Sequence, residues 1–95
     1  MSIYIKSSGD DTYISDANRV TGLLTGASIY ELGGKTENAI QILDDASELA
    51  TTLEDFETQL EHRIEVTNTY ASLGYLEQAL SQFVALTDDA IALLD

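Results

Sequence analysis

The stretch "YELGGKTENAIQ", Tyr30 to Gln41, returns forty positions later as "YASLGYLEQALS", Tyr70 to Ser81. In each copy a tyrosine precedes a glycine by four positions, and Glu, Ala and then Ile or Leu follow that glycine at the same spacing. Glycine suits the left-handed residue that ends a helix. A small alanine lets two helix backbones approach closely. We therefore expect each stretch to form the corner of a helix–turn–helix pair.

Apolar residues recur at steps of three and four on both sides of each corner, which is the spacing of one face of an α-helix. Proline, which interrupts helices, is absent. The first helices of the two pairs are predicted over Ala17 to Leu32 and Glu54 to Leu73, and the second helices follow from Thr36 and from Leu76. The sequence thus predicts an all-α fold of two tandem antiparallel helical hairpins, four helices in total, preceded by a short N-terminal extended segment.

The chain is short enough to form one helical domain, residues 1–95. We divide it into a lead-in segment at 1–15, a first hairpin at 16–50 and a second hairpin at 51–95. The lead-in contains "SIYI", which alternates like a strand, and "KSSGDD", which is typical of turns. Asp11 or Ser15 is expected to cap the first helix, and the Thr36 hydroxyl is a candidate cap for the second.

The boundary between the hairpins carries no glycine or proline. Thr51 or Thr52 is a candidate cap for a new helix, with Glu54 or Asp55 completing a capping box. The apolar spacing nevertheless continues through this region, so one long helix from Thr36 to Leu73 is the competing interpretation.

Aromatic residues divide into two predicted groups. Four of them fall on apolar helix faces and are predicted to lie in the core: Tyr30, Phe56, Tyr70 and Phe83. Three are predicted to be exposed and available to a partner: Tyr4, Tyr13 and Tyr75.

Charge is strongly unbalanced, with 17 acidic and four basic residues and a net charge of −13. An acidic surface repels nucleic-acid phosphates and anionic membranes, and it attracts basic partners. We therefore expect no direct nucleic-acid binding and no membrane association. The start "MSIYIKSSGDD" lacks the features of a signal peptide. A cytoplasmic location is expected, with secretion independent of a cleaved signal left open.

Catalytic and metal-binding patterns are not evident. His62 is the single histidine, there is no cysteine, and "GGKT" at 33–36 follows a helical pattern rather than the strand of a phosphate-binding loop. The Glu-x-x-His pairs of carboxylate metal centres are missing. The like charges of Glu57, Glu61 and Glu65, four apart on one face, indicate a solvated surface or a basic partner. We predict no enzyme activity, no catalytic residue, no metal site and no cofactor.

The repeated unit resembles the tetratricopeptide-repeat family, whose paired helices alternate small and large residues. The first unit shows this alternation at these positions: Ala27, Tyr30, Gly34, Ala39, Leu43 and Ala46. The second unit matches at Tyr70, Gly74, Ala79 and Phe83, but Thr67 and Leu86 stand where small residues are expected, and the repeat is longer than usual. The resemblance covers about Val20 to Leu94.

The resemblance implies that ligands lie across the first helices of the two pairs. The partner-binding residues that it suggests are Ser28, Glu31, Glu61, Glu65 and Asn68. Tyr75 is added to them because it is predicted to be exposed. No lysine or arginine pair is available there for a ligand carboxylate. A basic or amphipathic protein segment is the expected partner. Because two units are few for a stacked array, we expect the chain to dimerise, to cap itself with its N-terminal segment, or to bind a partner.

The leading hypothesis is a small acidic interaction module that acts as an adaptor, chaperone or inhibitor. A first alternative is a helical partner or substrate of a type VII-like secretion system. The size, acidity and start resemble such proteins, but the chain has no tryptophan for their Trp-x-Gly turn. That alternative predicts one uninterrupted helix through Thr51 and Thr52. A second alternative is an acidic decoy that blocks a nucleic-acid-binding protein.

Overall fold

The computed structural model describes residues 15–94, which form four α-helices and no strand. The helices are α1 (Asp16–Leu32), α2 (Thr36–Ala50), α3 (Phe56–Ser72) and α4 (Leu76–Leu94). α1 packs against α2 and α3 packs against α4, while α3 also contacts both helices of the first hairpin. The predicted all-α fold of two tandem hairpins is confirmed. The predicted extended segment and the candidate cap at Asp11 lie outside the described residues.

The two corners have the same backbone geometry. Gly34 and Gly74 adopt φ values of 78° and 93°, in the left-handed region. In each corner the amide after the glycine donates to the carbonyl of the repeated tyrosine, at 2.8 and 2.9 Å. This bond closes the end of the helix. The glycines therefore have the role that the repeated sequence predicted.

The caps of α1 and α2 differ. Ser15 caps α1, and its side chain accepts a hydrogen bond from the amide of Asn18 at 3.1 Å, as predicted. The prediction that Thr36 caps α2 is wrong. Thr36 is already helical, and its hydroxyl donates to the Glu31 carboxylate at 3.4 Å, while the cap position belongs to Lys35 and has no side-chain hydrogen bond.

The chain does break between the hairpins, so the single long helix is wrong. Thr51 and Thr52 do not cap α3, because their hydroxyls donate back to carbonyls at the end of α2, each at 2.7 Å. The cap is Asp55, whose carboxylate accepts from the amide and the hydroxyl of Thr58 at 2.9 and 2.8 Å. These hydrogen bonds, that from the Thr58 amide first, hold the pKa of Asp55 below its usual value.

The core lies where α3 meets the first hairpin. The buried cluster contains these residues: Val20, Leu24, Ala27, Ala39, Leu43, Ala46, Ala50, Val66, Tyr70 and Ala79. Ala39 and Ala79, the repeated alanines, are both buried. This agrees with the prediction that they allow close helix approach. Among the residues that the structure describes, Ala79 is the member of this cluster from α4, and Leu86 of the same helix is also buried.

The core prediction for the aromatic residues is correct for Tyr70 and wrong for two others. Tyr70 is 1% exposed, whereas Tyr30 is 40% exposed and Phe83 is 55% exposed. Phe56 is partly buried. Tyr30 and Phe83 lie on the apolar sides of their helices. Within residues 15–94, however, no helix buries either side chain as the first hairpin buries Tyr70. Among residues 15–94, no helix has the length and the apolar run needed to cross a bilayer.

Candidate protein-interaction surface

The first hairpin shows how a helix packs on this repeat. α3 packs against both α1 and α2, and Leu43 of α2 is 0% exposed in a cluster that includes Val66 and Tyr70 of α3. Tyr70 of α3 is buried there, and its hydroxyl donates to Asp44 Oδ1 at 2.5 Å. Burial, together with the bond to this carboxylate, raises the pKa of Tyr70 well above its usual value. In the first repeat, the hairpin of α1 and α2 is therefore packed against the helix that follows it, α3.

The same surface of the second hairpin is open. The repeat of forty positions makes Phe83 the counterpart of Leu43, and Phe83 is 55% exposed where Leu43 is fully covered. A groove of about 380 Å³ runs between the two helices here. We call this groove the end groove, and its lining residues are Thr67 of α3 and Leu76, Ala79, Leu80 and Phe83 of α4.

The end groove continues into an apolar stripe along α4. The stripe consists of Leu76, Leu80, Phe83, Val84 and Ile91, which lie on one helical face at steps of three, four and seven and are all more than half exposed. Contiguous apolar patches on soluble proteins mark interaction sites more often than scattered apolar residues do. The stripe is therefore the main candidate for an interaction surface.

The stripe is not a simple copy of the first repeat. Its counterparts in the first hairpin are Thr36, Ile40, Leu43 and Asp44 of α2 and Thr51, which follows α2. Three of these five positions are polar, whereas all five on α4 are apolar. The second hairpin therefore offers a wider apolar surface than the first hairpin offers to α3.

The middle of α4 is uncharged. Residues 78–87 carry no charged side chain, although the whole chain has a net charge of −13. Exposed carboxylates stand at both ends of this section, Glu77 on one side and Asp88 on the other. The uncharged section is thus bounded by a carboxylate at each end, and Leu76 and Ile91 of the stripe lie beyond these two carboxylates.

The residues predicted for partner binding fall into three groups. Glu61, Glu65 and Asn68 are exposed on α3. Glu65 Oε1 lies 2.8 Å from Nδ1 of His62 on the same helix. His62 therefore contacts the row formed by Glu57, Glu61 and Glu65, whereas Arg63 does not.

Arg63 instead turns toward α4. Arg63 is 7% exposed, and its Nη1 donates a hydrogen bond to Asp89 Oδ2 at 2.8 Å. This ion pair joins the two helices of the second hairpin. Of the three lysine and arginine residues between 15 and 94, only Arg19 and Lys35 therefore remain exposed.

Ser28 and Glu65 meet at a second, smaller groove of about 240 Å³ between α1 and α3. Its other lining residues are Thr21, Leu24, Thr25 and Thr69. The Ser28 hydroxyl donates to the carbonyl of Leu24 at 3.2 Å. This arrangement places two predicted residues together, on a face that is polar rather than apolar.

Glu31 and Tyr75 form the third group. The Tyr75 hydroxyl donates to Glu31 Oε1, and this bond joins the corner of the second hairpin to that of the first. The bond raises the pKa of Tyr75. Tyr75 is partly buried and packed against the core cluster, so the prediction that it is a free exposed anchor is wrong.

No group of three or more His, Asp or Glu side chains in the described range converges as a metal ion would require. The hydrogen-bond partner of His62 within this range is a carboxylate, not a hydroxyl that a base would activate.

Sequence reasoning missed the residues of the end groove. The helical spacing predicts Phe83 in the core and gives Leu76 and Leu80 no role beyond the apolar face of the last helix. The available signal was the comparison of the two repeats, since Thr36, Asp44 and Thr51 are replaced by Leu76, Val84 and Ile91. Apolar residues at those three positions make the apolar face of α4 wider than the corresponding face of the first repeat.

Comparison of the chain with protein-family models, with curated proteins and with solved structures finds no match.

Proposed function

We propose that this protein is a small acidic interaction module, an adaptor, chaperone or inhibitor, that docks an amphipathic helical segment of a partner protein in the end groove. The observation that carries the proposal is the contrast between the two repeats. Leu43 of the first hairpin is fully covered by a helix, while its counterpart Phe83 lines an open groove.

The form of the partner segment follows from the first hairpin. The surface around Leu43 accommodates α3, which has 17 residues and buries Val66 and Tyr70 against it. The second hairpin has the same backbone corner and the same small alanine at its centre. An amphipathic helix of similar length is therefore the occupant that fits, in the helix-in-groove mode of recognition.

The charge of the partner segment follows from the two carboxylates that bound residues 78–87. Apolar contacts would come from the uncharged section at 78–87, and basic residues near each end of the helix would face Glu77 and Asp88. The other exposed carboxylates, including Glu61 and Glu65, would add long-range attraction rather than direct contacts. Such charges act mainly on the rate of association, and salt weakens them.

A partner with basic ends is favoured over a second copy of this chain. Two copies would bring together surfaces that each belong to a chain with a net charge of −13. An antiparallel pairing of two α4 helices would also place Glu77 of one copy close to Asp88 of the other. Like charges brought together in an interface oppose association.

The test uses a fluorescent amphipathic peptide of leucine and lysine, 17 residues long, and measures its affinity for the complete chain by anisotropy. The double variant L80S/F83S should weaken binding by at least about tenfold, because two apolar contacts are lost. The matched control is I29S/L32S, which replaces two exposed apolar residues of α1 outside the groove and should leave the affinity unchanged. Raising the salt concentration should lower the association rate more than it raises the dissociation rate.

Three results would contradict the proposal. One is equal binding by the wild-type chain and L80S/F83S. Another is a dimer in sedimentation equilibrium that L80S/F83S dissociates, which would assign the groove to a second copy. The third is binding that appears only after residues 1–14 are deleted, which would assign the groove to the N-terminal segment of the same chain.

A further inference from the structure

Resting on the proposed function, we infer that the partner helix runs antiparallel to α4 and presents an apolar residue where α3 presents Tyr70. Both the orientation of the partner helix and the side chain that the groove selects follow from the contacts that α3 makes with the first hairpin.

The orientation comes from the two ends of α3. At its start, Gln59 Nε2 donates to the carbonyl of Leu53, just beyond the end of α2, at 3.0 Å. At its end, Tyr75 bonds to Glu31, which also accepts from Thr36 in the first turn of α2. α3 is therefore antiparallel to α2. A helix seated the same way on the second hairpin has its C-terminal end near Leu76.

The selected side chain comes from the counterpart of Asp44. On the first hairpin Asp44 accepts the Tyr70 hydroxyl, so the aromatic ring is buried with its polar atom satisfied. The counterpart of Asp44 on α4 is Val84, which is apolar and 51% exposed. A tyrosine hydroxyl buried at this place would have no carboxylate to bond, and an unsatisfied buried hydroxyl is costly. The groove therefore favours phenylalanine, leucine or methionine at this position of the partner.

A second copy of the chain stacked on this groove would meet the same mismatch. In a head-to-tail stack, α1 of the next copy would take the place of α3, and its Tyr30 would stand where Tyr70 stands. Tyr30 would then face Val84 rather than a carboxylate. This mismatch adds to the repulsion between like-charged chains and disfavours continuation of the stack by self-association.

The experiment uses two synthetic peptides that carry the sequence of α3 with Glu57, Glu61 and Glu65 changed to lysine. One retains the tyrosine that corresponds to Tyr70, and the other has phenylalanine there. Each is titrated against the complete wild-type chain and against Val84→Asp, which supplies the carboxylate that the second repeat lacks. The control is Ala85→Asp, which adds the same charge at an exposed position facing away from the stripe.

The phenylalanine peptide should bind the wild-type chain and A85D more tightly than the tyrosine peptide does. In V84D the ratio of the two affinities should shift by about tenfold toward tyrosine, as expected for a hydrogen bond to a carboxylate. The attraction between lysines and the new aspartate is common to both peptides and cancels in the ratio. A spin label at the peptide C-terminus should broaden the NMR signals of Leu76 more than those of Ile91.

An unchanged ratio in V84D, or broadening that is stronger at Ile91, would overturn this inference and leave docking in the groove intact. Failure of both peptides to bind would also overturn it if the leucine–lysine peptide still binds. Failure of all three peptides would instead refute the proposed function.

Discussion

Truncation of two side chains at equivalent repeat positions, Leu43→Ala and Phe83→Ala, should have very different effects on stability. Leu43 is 0% exposed under α3, and Phe83 is 55% exposed in the end groove. If the second hairpin is open at this surface, the smaller side chain contributes more to folding than the larger one. The comparison thus measures how much each repeat is covered.

The magnitudes follow from burial. Removing a fully buried leucine side chain costs about 2–5 kcal/mol, including the cavity that is left. Full burial of a phenylalanine is worth about 1.5–3 kcal/mol, so the part of Phe83 that is buried is worth about 1 kcal/mol. Replacement of phenylalanine by alanine also recovers about 0.5 kcal/mol of helix propensity. L43A should therefore lower the free energy of unfolding by at least about 2 kcal/mol and F83A by about 1 kcal/mol or less.

Urea unfolding followed by circular dichroism measures both values. An unchanged m-value would show that the variants expose the same amount of surface on unfolding as the wild-type chain. A chain of this size has a small total stability, so L43A may be replaced by Leu43→Val, which should cost about 1 kcal/mol for one methylene group. An F83A variant as destabilised as L43A would refute the reasoning, because it would mean that Phe83 is covered in solution. With the leucine–lysine peptide present, F83A should instead reduce binding.

Three further predictions concern the corners, the caps and the tyrosine. Gly34→Ala should lower the melting temperature, because a left-handed residue with a side chain is strained by about 1–2 kcal/mol, whereas the control Gly22→Ala inside α1, where nothing lies within 4 Å of the added carbon, should raise it. The lowered pKa of Asp55 means that its stabilising effect is present above the unfolded-state pKa near 3.8 and is lost as the pH falls through the folded-state pKa. Asp55→Asn should therefore remove this part of the acid dependence of the melting temperature. The raised pKa of Tyr70 means that stability is retained below its ordinary pKa of 10.0 and is lost as the pH rises above it, and Tyr70→Phe should reduce this alkaline loss in pH-dependent melts.

The repeat in the sequence was sufficient to predict the hairpins because each corner depends on local chemistry. The glycine conformation, the small alanine and the helical spacing all act within about ten residues of one another. The break between the hairpins was predicted correctly, but its cap was not. Thr51 and Thr52 bond to the helix before them, and Asp55 serves the helix after them. Both kinds of residue favour caps, so the sequence alone did not distinguish their roles.

Coverage of the helices could not be predicted in the same way. An amphipathic pattern shows which side of a helix is apolar, but not whether another element lies over it. Tyr30 and Tyr70 share one local sequence, and so do the surroundings of Leu43 and Phe83, yet one of each pair is buried and the other is exposed. The difference depends on the order in which the hairpins stack, because within residues 15–94 the first hairpin is followed by a helix that packs on it and the second is not. The bond between Glu31 and Tyr75 is likewise a contact between repeats, 44 positions apart.

Chemical-shift mapping of the leucine–lysine peptide on the ¹⁵N-labelled chain tests the central claim most directly. The account predicts that the largest amide shifts occur at Thr67 and along the stripe from Leu76 to Val84, with small shifts on the α1–α3 face around Ser28. Largest shifts on that face, or no shifts along α4 at saturating peptide, would contradict the claim that the end groove is the docking site.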